Sequence, residues 1–297
     1  MSSRVILATV VLIAALIGAN FSVLKFALEH STPFLIAGMR TVIGGAALLA
    51  FARLRGERFP TDRGDLKNIL VVSLSITTLS SGLLLFGISR VPAGLGSLAS
   101  ATLPLFTALF ALALLGTKTS RRGQAGLIIG FVGAAVLASP SLGGETTAVG
   151  ILSLLVSAAA WAFGTVYMKW KDFSRVSPIM LVGVQLWMSA LVLVPFALVV
   201  EGVDGTDWSL GLLWPLLYAA IPSNALTFSL MVIVVTRATP IVAASTAYLI
   251  PLFGVFFAWL IRDEVLGFIE GVGGVLVVFG VYVLVNANAR TAAAPVS

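Results

Sequence analysis

The sequence predicts an all-α polytopic membrane protein, with ten transmembrane helices arranged as a 5+5 inverted repeat around a central cavity. Three observations predict this fold. Hydrophobic residues make up 59% of the 297 residues and charged residues only 10%, whereas a water-soluble domain carries about 25% charged residues. The apolar runs have the length of roughly 20 residues that a helix needs to cross a bilayer. Motifs of the first half of the chain also recur, in the same order, in the second half.

We count ten apolar runs and number them as spans one to ten. They cover residues 5–27, 33–52, 67–89, 92–115, 123–139, 148–169, 178–200, 209–235, 239–261 and 267–286. None alternates polar with apolar residues as a transmembrane strand does, so each run predicts a helix. Pro215 and Pro222 predict a break in span eight. A cleaved signal peptide in place of span one is disfavoured, because its loss would leave nine spans.

The net charge of +6 comes from basic residues that are distributed unevenly between the loops. If the N-terminus is cytoplasmic, fourteen of the 18 Lys and Arg residues lie in loops and tails on that side, against Arg90 and Arg262 on the other. This bias is the positive-inside pattern, and it predicts that both termini are cytoplasmic. The charge therefore indicates orientation in the membrane, and we expect no nucleic-acid partner.

The two halves of the chain can be aligned with each other. At an offset of 147 residues, the matching positions are Pro104 with Pro251, Leu105 with Leu252, Phe106 with Phe253, Gly126 with Gly273 and Gly133 with Gly280. Because five spans is an odd number, the second copy must enter the membrane from the opposite side. We expect residues 1–140 to form the first repeat, 141–286 the second, inverted repeat, and 287–297 a disordered cytoplasmic tail.

Inverted repeats with interrupted helices are the plan of secondary transporters, which bind their substrates near the bilayer midplane. Pro104 and Pro251 lie near the middle of spans four and nine. Proline removes a helix hydrogen bond and bends the helix. The matched pair therefore predicts two hinges for alternating access. Alternatively, each proline only fits its helix to a curved bundle.

Several motifs together resemble a known family. They are "IGANFSVLK" in span one with "WAFGTVYMK" in span six, "LPLF" with "IPLF", and the Gly-x6-Gly spacing of spans five and ten. In this order, over residues 5–286, they resemble the drug/metabolite transporter superfamily in its ten-helix EamA-type branch. The resemblance implies metabolite export across the bacterial inner membrane, with aromatic amino-acid exporters as the nearest group. One departure is that Glu264 follows span nine, whereas Thr117 takes the place of the glutamate that many members carry after span four.

Polar and aromatic residues within the spans are the candidates for substrate contact, because polar groups inside a membrane tend to face the bundle interior. The candidate residues are Asn20, Arg40, Thr77, Ser80, Ser81, Ser100, Trp161, Gln185, Asn224, Phe228 and Tyr248. The hydroxyl groups could instead bond to their own helix backbone or help helices to pack. The two asparagines are the stronger candidates, because an amide is not satisfied so locally.

Arg40 has Gln185 as its counterpart in the second repeat. A guanidinium group can hold a substrate carboxylate through two parallel hydrogen bonds. The alternative is that Arg40 extends to the membrane interface or pairs with backbone carbonyls. Trp161 and Tyr248 are expected to line an apolar pocket for a bulky side chain.

The sequence contains no cysteine and one histidine, and it lacks a phosphate-binding glycine loop. We therefore expect no enzyme, no catalytic residue, no metal and no cofactor. No Asp or Glu lies in the middle of a span, which favours a facilitative uniporter for zwitterionic or neutral solutes, chiefly neutral amino acids. The alternatives are a lipid or polyprenyl-carrier flippase, a proton-coupled drug exporter and a channel. We expect a monomer or homodimer.

Overall fold

The computed structural model describes residues 3–117, 120–139, 145–171, 173, 175–227, 230 and 246–293. All regular elements in this part of the chain are helices. Seven helical stretches are long and apolar enough to cross a membrane, and two shorter apolar helices, Leu210–Leu226 and Leu249–Arg262, border the stretch outside the description. The prediction of an all-helical, polytopic membrane protein is confirmed.

The helices follow the predicted spans in order. They are Ser3–Leu28 (span one), Pro33–Leu54 (two), Arg63–Val72 with Ser80–Ile88 (three), Ala93–Ser100 with Leu103–Leu115 (four), Arg121–Ala138 (five), Glu145–Trp170 (six), Pro178–Val200 (seven), Leu210–Ala220 (eight), Thr246–Arg262 (nine) and Phe268–Ala293 (ten). Span ten thus continues into the segment 287–297, where alanine and arginine favour helix.

Side-chain caps begin three of the odd-numbered spans. Asp62, Ser120 and Ser177 each accept a hydrogen bond from the backbone N–H three residues further on, at 3.0, 3.3 and 3.1 Å respectively. Such caps satisfy one of the N–H groups that the first turn of a helix leaves without a partner. Polar residues in the loops therefore determine where these spans begin.

Spans five and ten, which occupy equivalent positions in the two repeats, pack against each other along their lengths. A Cβ atom at Gly133 would lie 2.6 Å from the backbone N of Val277, and one at Gly273 would lie 2.4 Å from the backbone N of Leu137. The residue numbers rise along one helix as they fall along the other, so the two helices are antiparallel. Glycine permits this approach because any larger residue would collide with the facing backbone.

Spans two and seven are also equivalent in the repeats, and they too are antiparallel. Glu201, at the end of span seven, accepts hydrogen bonds from the backbone N–H groups of Phe34 (3.0 Å) and Leu35 (3.1 Å) at the start of span two. Ser177, before span seven, donates to Glu57, after span two. We call these two ends of the bundle the Glu201 end and the Glu57 end.

The two predicted hinge prolines have different surroundings. Span four is interrupted by a turn at Ala101 and Thr102, and Pro104 lies in the first turn of the helix that follows. Pro251 lies inside the helix Thr246–Arg262. The missing N–H is harmless at Pro104 but removes a helix hydrogen bond at Pro251. The hinge role of both residues stays a prediction.

Candidate functional site

Hydroxyl side chains of span three line a buried strip at the centre of the bundle. Ser73, Thr77, Ser80 and Ser81 are each at most 5% exposed. The same span packs against spans two, six and seven. These hydroxyl groups are thus enclosed by helices of both repeats, and we call them the polar strip.

Hydrogen bonds join the polar strip to the second repeat. The Gln185 side chain on span seven donates from Nε2 to Thr77 Oγ1 at 2.7 Å, and the Gln185 carbonyl oxygen accepts from Ser73 Oγ at 2.7 Å. On span six, Ser157 Oγ lies 3.0 Å from Ser80 Oγ and donates to the Ser80 carbonyl oxygen at 2.7 Å. Sequence reasoning missed Ser157, although it lies four residues before the predicted Trp161, on the same helix face.

Arg40 is buried beside the polar strip and is 5% exposed. Its Nη2 donates to Ser81 Oγ. Its Nε is also buried and has no hydrogen-bond partner among the described residues. None of the ion pairs in the described part of the chain includes Arg40. This burial disfavours an arginine that extends to the membrane interface.

Two side chains of span one also carry buried oxygen atoms without partners. Asn20 is 6% exposed and Ser22 is fully buried. Asn20 Oδ1 and Ser22 Oγ accept or donate no hydrogen bond within the described chain. Asn20 was predicted from its amide, whereas Ser22 was missed, although both lie in the "IGANFSVLK" motif.

The other predicted residues have varied surroundings. Ser100 donates to the backbone carbonyl three residues earlier, at 2.6 Å. This agrees with the alternative that a hydroxyl group bonds to its own helix backbone. Trp161 and Asn224 are partly buried. Phe228 lies outside the described residues, as does the side chain of Tyr248.

Spans three and eight each contain a π-helical segment, and the two segments correspond in the repeats. The first is Ser73–Leu79 and the second is Ile221–Leu226. The offset of 147 residues superposes them and places Thr77 on Asn224. Pro222 gave a sequence signal for the second segment, because proline lacks the N–H of a regular helix. Such segments occur frequently at functional sites.

Charged residues link three spans at the Glu201 end of the bundle. Arg262, at the end of span nine, pairs with Glu29 after span one (Nη1 to Oε1, 2.8 Å), and its guanidinium carbon lies 4.9 Å from the centre of the Phe26 ring. Glu264 Oε1 lies 3.7 Å from Arg262 Nε, and Glu264 Oε2 accepts from the backbone N of Gly94, which begins span four, at 3.1 Å. We call Arg262, Glu29 and Glu264 the ion-pair cluster. It ties together spans one, four and nine.

The equivalent positions at the Glu57 end carry no charge. The offset of 147 residues places Leu115 at the position of Arg262 and Thr117 at that of Glu264. Near this end Tyr167 on span six donates to Asn68 Oδ1 on span three at 2.8 Å, and Arg55 Nε lies 3.9 Å from Glu57 Oε1 within the loop after span two. The described ion pair at the Glu57 end thus stays within one loop, whereas Arg262 and Glu29 join two spans at the Glu201 end.

Several known proteins resemble this chain in sequence or in fold. The model of the EamA-like transporter family matches residues 4–139 and again 148–286. The chain is 32% identical over 285 residues to the uncharacterized transporter YvbV of Bacillus subtilis, across 95% of this chain and 92% of that protein. It is 27% identical over 285 residues to a probable amino-acid metabolite efflux pump of Salmonella typhimurium, across 92% of each.

One solved crystal structure covers 99% of this chain, and the match spans 100% of that chain. Its TM-score is 0.67 at 18% sequence identity, so it shares the fold. The family model matches the sequence twice, once in each half, and the two matches together span nearly all of it. The chain therefore belongs to the EamA-like transporter family.

Proposed function

We propose that this membrane transporter exports small metabolites, chiefly aromatic and other neutral amino acids, across the bacterial inner membrane. The observation that carries this proposal is the buried polar strip, in which Thr77 and Ser80 of one repeat bond to Gln185 and Ser157 of the other. Polar groups are costly inside a bilayer and mark solute pathways there. A relative named as a probable amino-acid metabolite efflux pump supports the substrate class.

Alternating access between two inverted repeats would provide the mechanism. The antiparallel packing of spans two with seven and of spans five with ten supports the inverted relation. The corresponding π-helical segments, Ser73–Leu79 and Ile221–Leu226, are candidates for the parts that rearrange. In such transporters the repeats move against each other around a central site.

The Glu201 end would face the outside of the cell and the Glu57 end the cytoplasm. The excess of basic residues around Arg53, Arg55 and Arg58 supports this orientation. The ion-pair cluster then closes the outer end. An exporter that rests in this state would take up its substrate from the cytoplasmic side.

Transport would be facilitative. The twelve acidic residues of the sequence lie between the spans or at their ends. Proton-coupled carriers commonly use a titratable group inside the membrane. A uniporter that runs down the concentration gradient of its solute needs no such group.

Counterflow in proteoliposomes tests the proposal. The purified protein is reconstituted with unlabelled amino acid inside, and uptake of labelled phenylalanine, threonine or lysine is followed. We expect saturable exchange of phenylalanine and threonine and little exchange of lysine. Uptake that depends steeply on a pH gradient at fixed membrane potential would contradict uniport. Absence of exchange for every amino acid would contradict amino-acid export and direct attention to lipid transport.

A further inference from the structure

Arg40 carries a buried positive charge that takes part in none of the ion pairs among the described residues. Its recorded hydrogen-bond partner, Ser81, is neutral, and its Nε has no partner among the described residues. The acidic residues lie between the spans or at their ends, and the stretch 228–245 contains none. An uncompensated charge is strongly unfavourable in a low-dielectric interior. Arg40 therefore calls for an anionic group from outside the chain.

Asn20 offers the complementary chemistry, because its Oδ1 is buried and has no hydrogen-bond partner in the described part. Asn20 precedes the end of span one at Leu28, and Arg40 follows the start of span two at Pro33. At about 1.5 Å per helical residue, Asn20 lies about 12 Å and Arg40 about 10 Å from the Glu201 end. The two groups thus lie at similar depths on helices joined by a short turn.

We propose that Asn20 and Arg40 form the subsite for the zwitterionic head group of an α-amino acid. The substrate carboxylate pairs with the Arg40 guanidinium, whose planar donors match a carboxylate. The substrate ammonium group donates to Asn20 Oδ1. Ser81 orients the guanidinium through Nη2. This inference rests on the proposed export function and names the group that every substrate must carry.

The second repeat lacks this set of residues. The motif alignment places Gly164 opposite Asn20, and Gln185 is the counterpart of Arg40. The Gln185 amide donates to Thr77. A Cβ atom at Gly164 would lie 2.4 Å from Ile76 Cγ1. Each chain therefore has one head-group subsite, contributed by the first repeat.

Competition in the counterflow assay tests the subsite. Labelled phenylalanine is competed with unlabelled phenylalanine, with phenylalaninamide, which lacks the carboxylate, and with 3-phenylpropionate, which lacks the ammonium group. For the wild type we expect both analogues to compete at least about ten-fold more weakly than phenylalanine, since each leaves a buried polar group unpaired. An analogue that competes as well as phenylalanine would overturn the corresponding half of the subsite while export itself stands.

Two variants test which residue binds the substrate carboxylate and which binds the ammonium group. In Arg40→Gln, the KM for phenylalanine should rise about ten-fold or more, and the preference over phenylalaninamide should vanish. In Asn20→Leu, the preference over 3-phenylpropionate should vanish. Arg90→Gln is the matched control, because this arginine lies at the Glu201 end and donates to Phe86 and Ser89. Unchanged selectivity in the first two variants would overturn the proposal.

Thermal unfolding in detergent separates a binding role from a structural one. The wild type should gain Tm with millimolar phenylalanine, and Arg40→Gln should lose this gain. Without ligand, Asn20→Leu should keep or raise the Tm, because the Oδ1 atom that it removes has no hydrogen-bond partner among the described residues. A lower Tm without ligand, with the gain from phenylalanine retained, would make these residues structural. A wild type that exchanges no amino acid would overturn export and subsite together.

Discussion

Arg40 and Gln185 occupy equivalent positions in the two repeats, and both donate to span three. Arg40 reaches Ser81, whereas Gln185 reaches Thr77 one helical turn away. The amide of Gln185 is neutral and thus needs no counter-charge, but the guanidinium of Arg40 does. The comparison teaches that the repeat supplies the same backbone scaffold twice, while the buried positive charge is placed in only one of the two copies.

The ends of the bundle differ in the same way. Arg262, Glu29 and Glu264 tie three spans together at the Glu201 end, while Leu115 and Thr117 stand at the equivalent places at the Glu57 end. A scaffold with two-fold symmetry alone would favour neither end. The ion pair and the hydrogen bond that link spans one, four and nine make the two ends unequal.

The symmetric part of the molecule should be the most sensitive to substitution. Gly133→Leu places a side chain against the backbone of span ten, and we expect destabilisation of about 3 kcal/mol or more and little monodisperse protein. Gly271→Leu is the control, because a Cβ there meets nothing within 4 Å. Size-exclusion profiles and Tm in detergent measure both. Equal loss in the two variants would show that the close contact of spans five and ten is not what holds them together.

Thr77→Val tests the contact between the repeats at the polar strip. It leaves the buried Gln185 Nε2 without its acceptor, so we expect a loss of about 1–3 kcal/mol in unfolding free energy. Thr107→Val is the control, because that hydroxyl bonds to its own helix at the Leu103 carbonyl. If the two variants unfold alike, the bond to Gln185 contributes nothing measurable.

Arg262→Ala should remove the difference between the two ends. A single cysteine can report on this, since the protein has none of its own. Ser97→Cys places a thiol at a fully buried position of span four. Arg262→Ala should raise its labelling by an impermeant maleimide about five-fold, which corresponds to about 1 kcal/mol for a partly exposed ion pair. Glu57→Gln, at the opposite end, should leave labelling of the thiol from the Glu201 end unchanged or lower it.

The two prolines should differ in a smaller but measurable way. Pro251→Ala restores a hydrogen bond inside a helix and should slow counterflow about three-fold, whereas Pro104→Ala, in a first helical turn, should change it less than two-fold. Initial rates with labelled phenylalanine provide the measurement. A double variant that exchanges at the wild-type rate would refute the hinges.

Hydropathy alone was enough to locate the spans, because a bilayer requires about 20 apolar residues for each crossing. The repeat was also visible, since the glycines of spans five and ten and the two proline motifs keep their spacing. Arg40 and Asn20 could be named as site candidates because charged and amide groups are costly in a membrane. Ser22 could not be distinguished from serines that bond to their own helix.

The sequence by itself thus determined the membrane class, the helices and the repeat, because these depend on local composition and on spacing along the chain. Only the tertiary structure decided which polar groups have hydrogen-bond partners and which buried polar atoms have none among the described residues. Gln185 bonds to Thr77 across more than a hundred residues of sequence, and Arg262 pairs with Glu29, whereas Arg40 Nε has no partner among the described residues. Such pairing depends on which faces of distant helices meet, and local sequence does not record it.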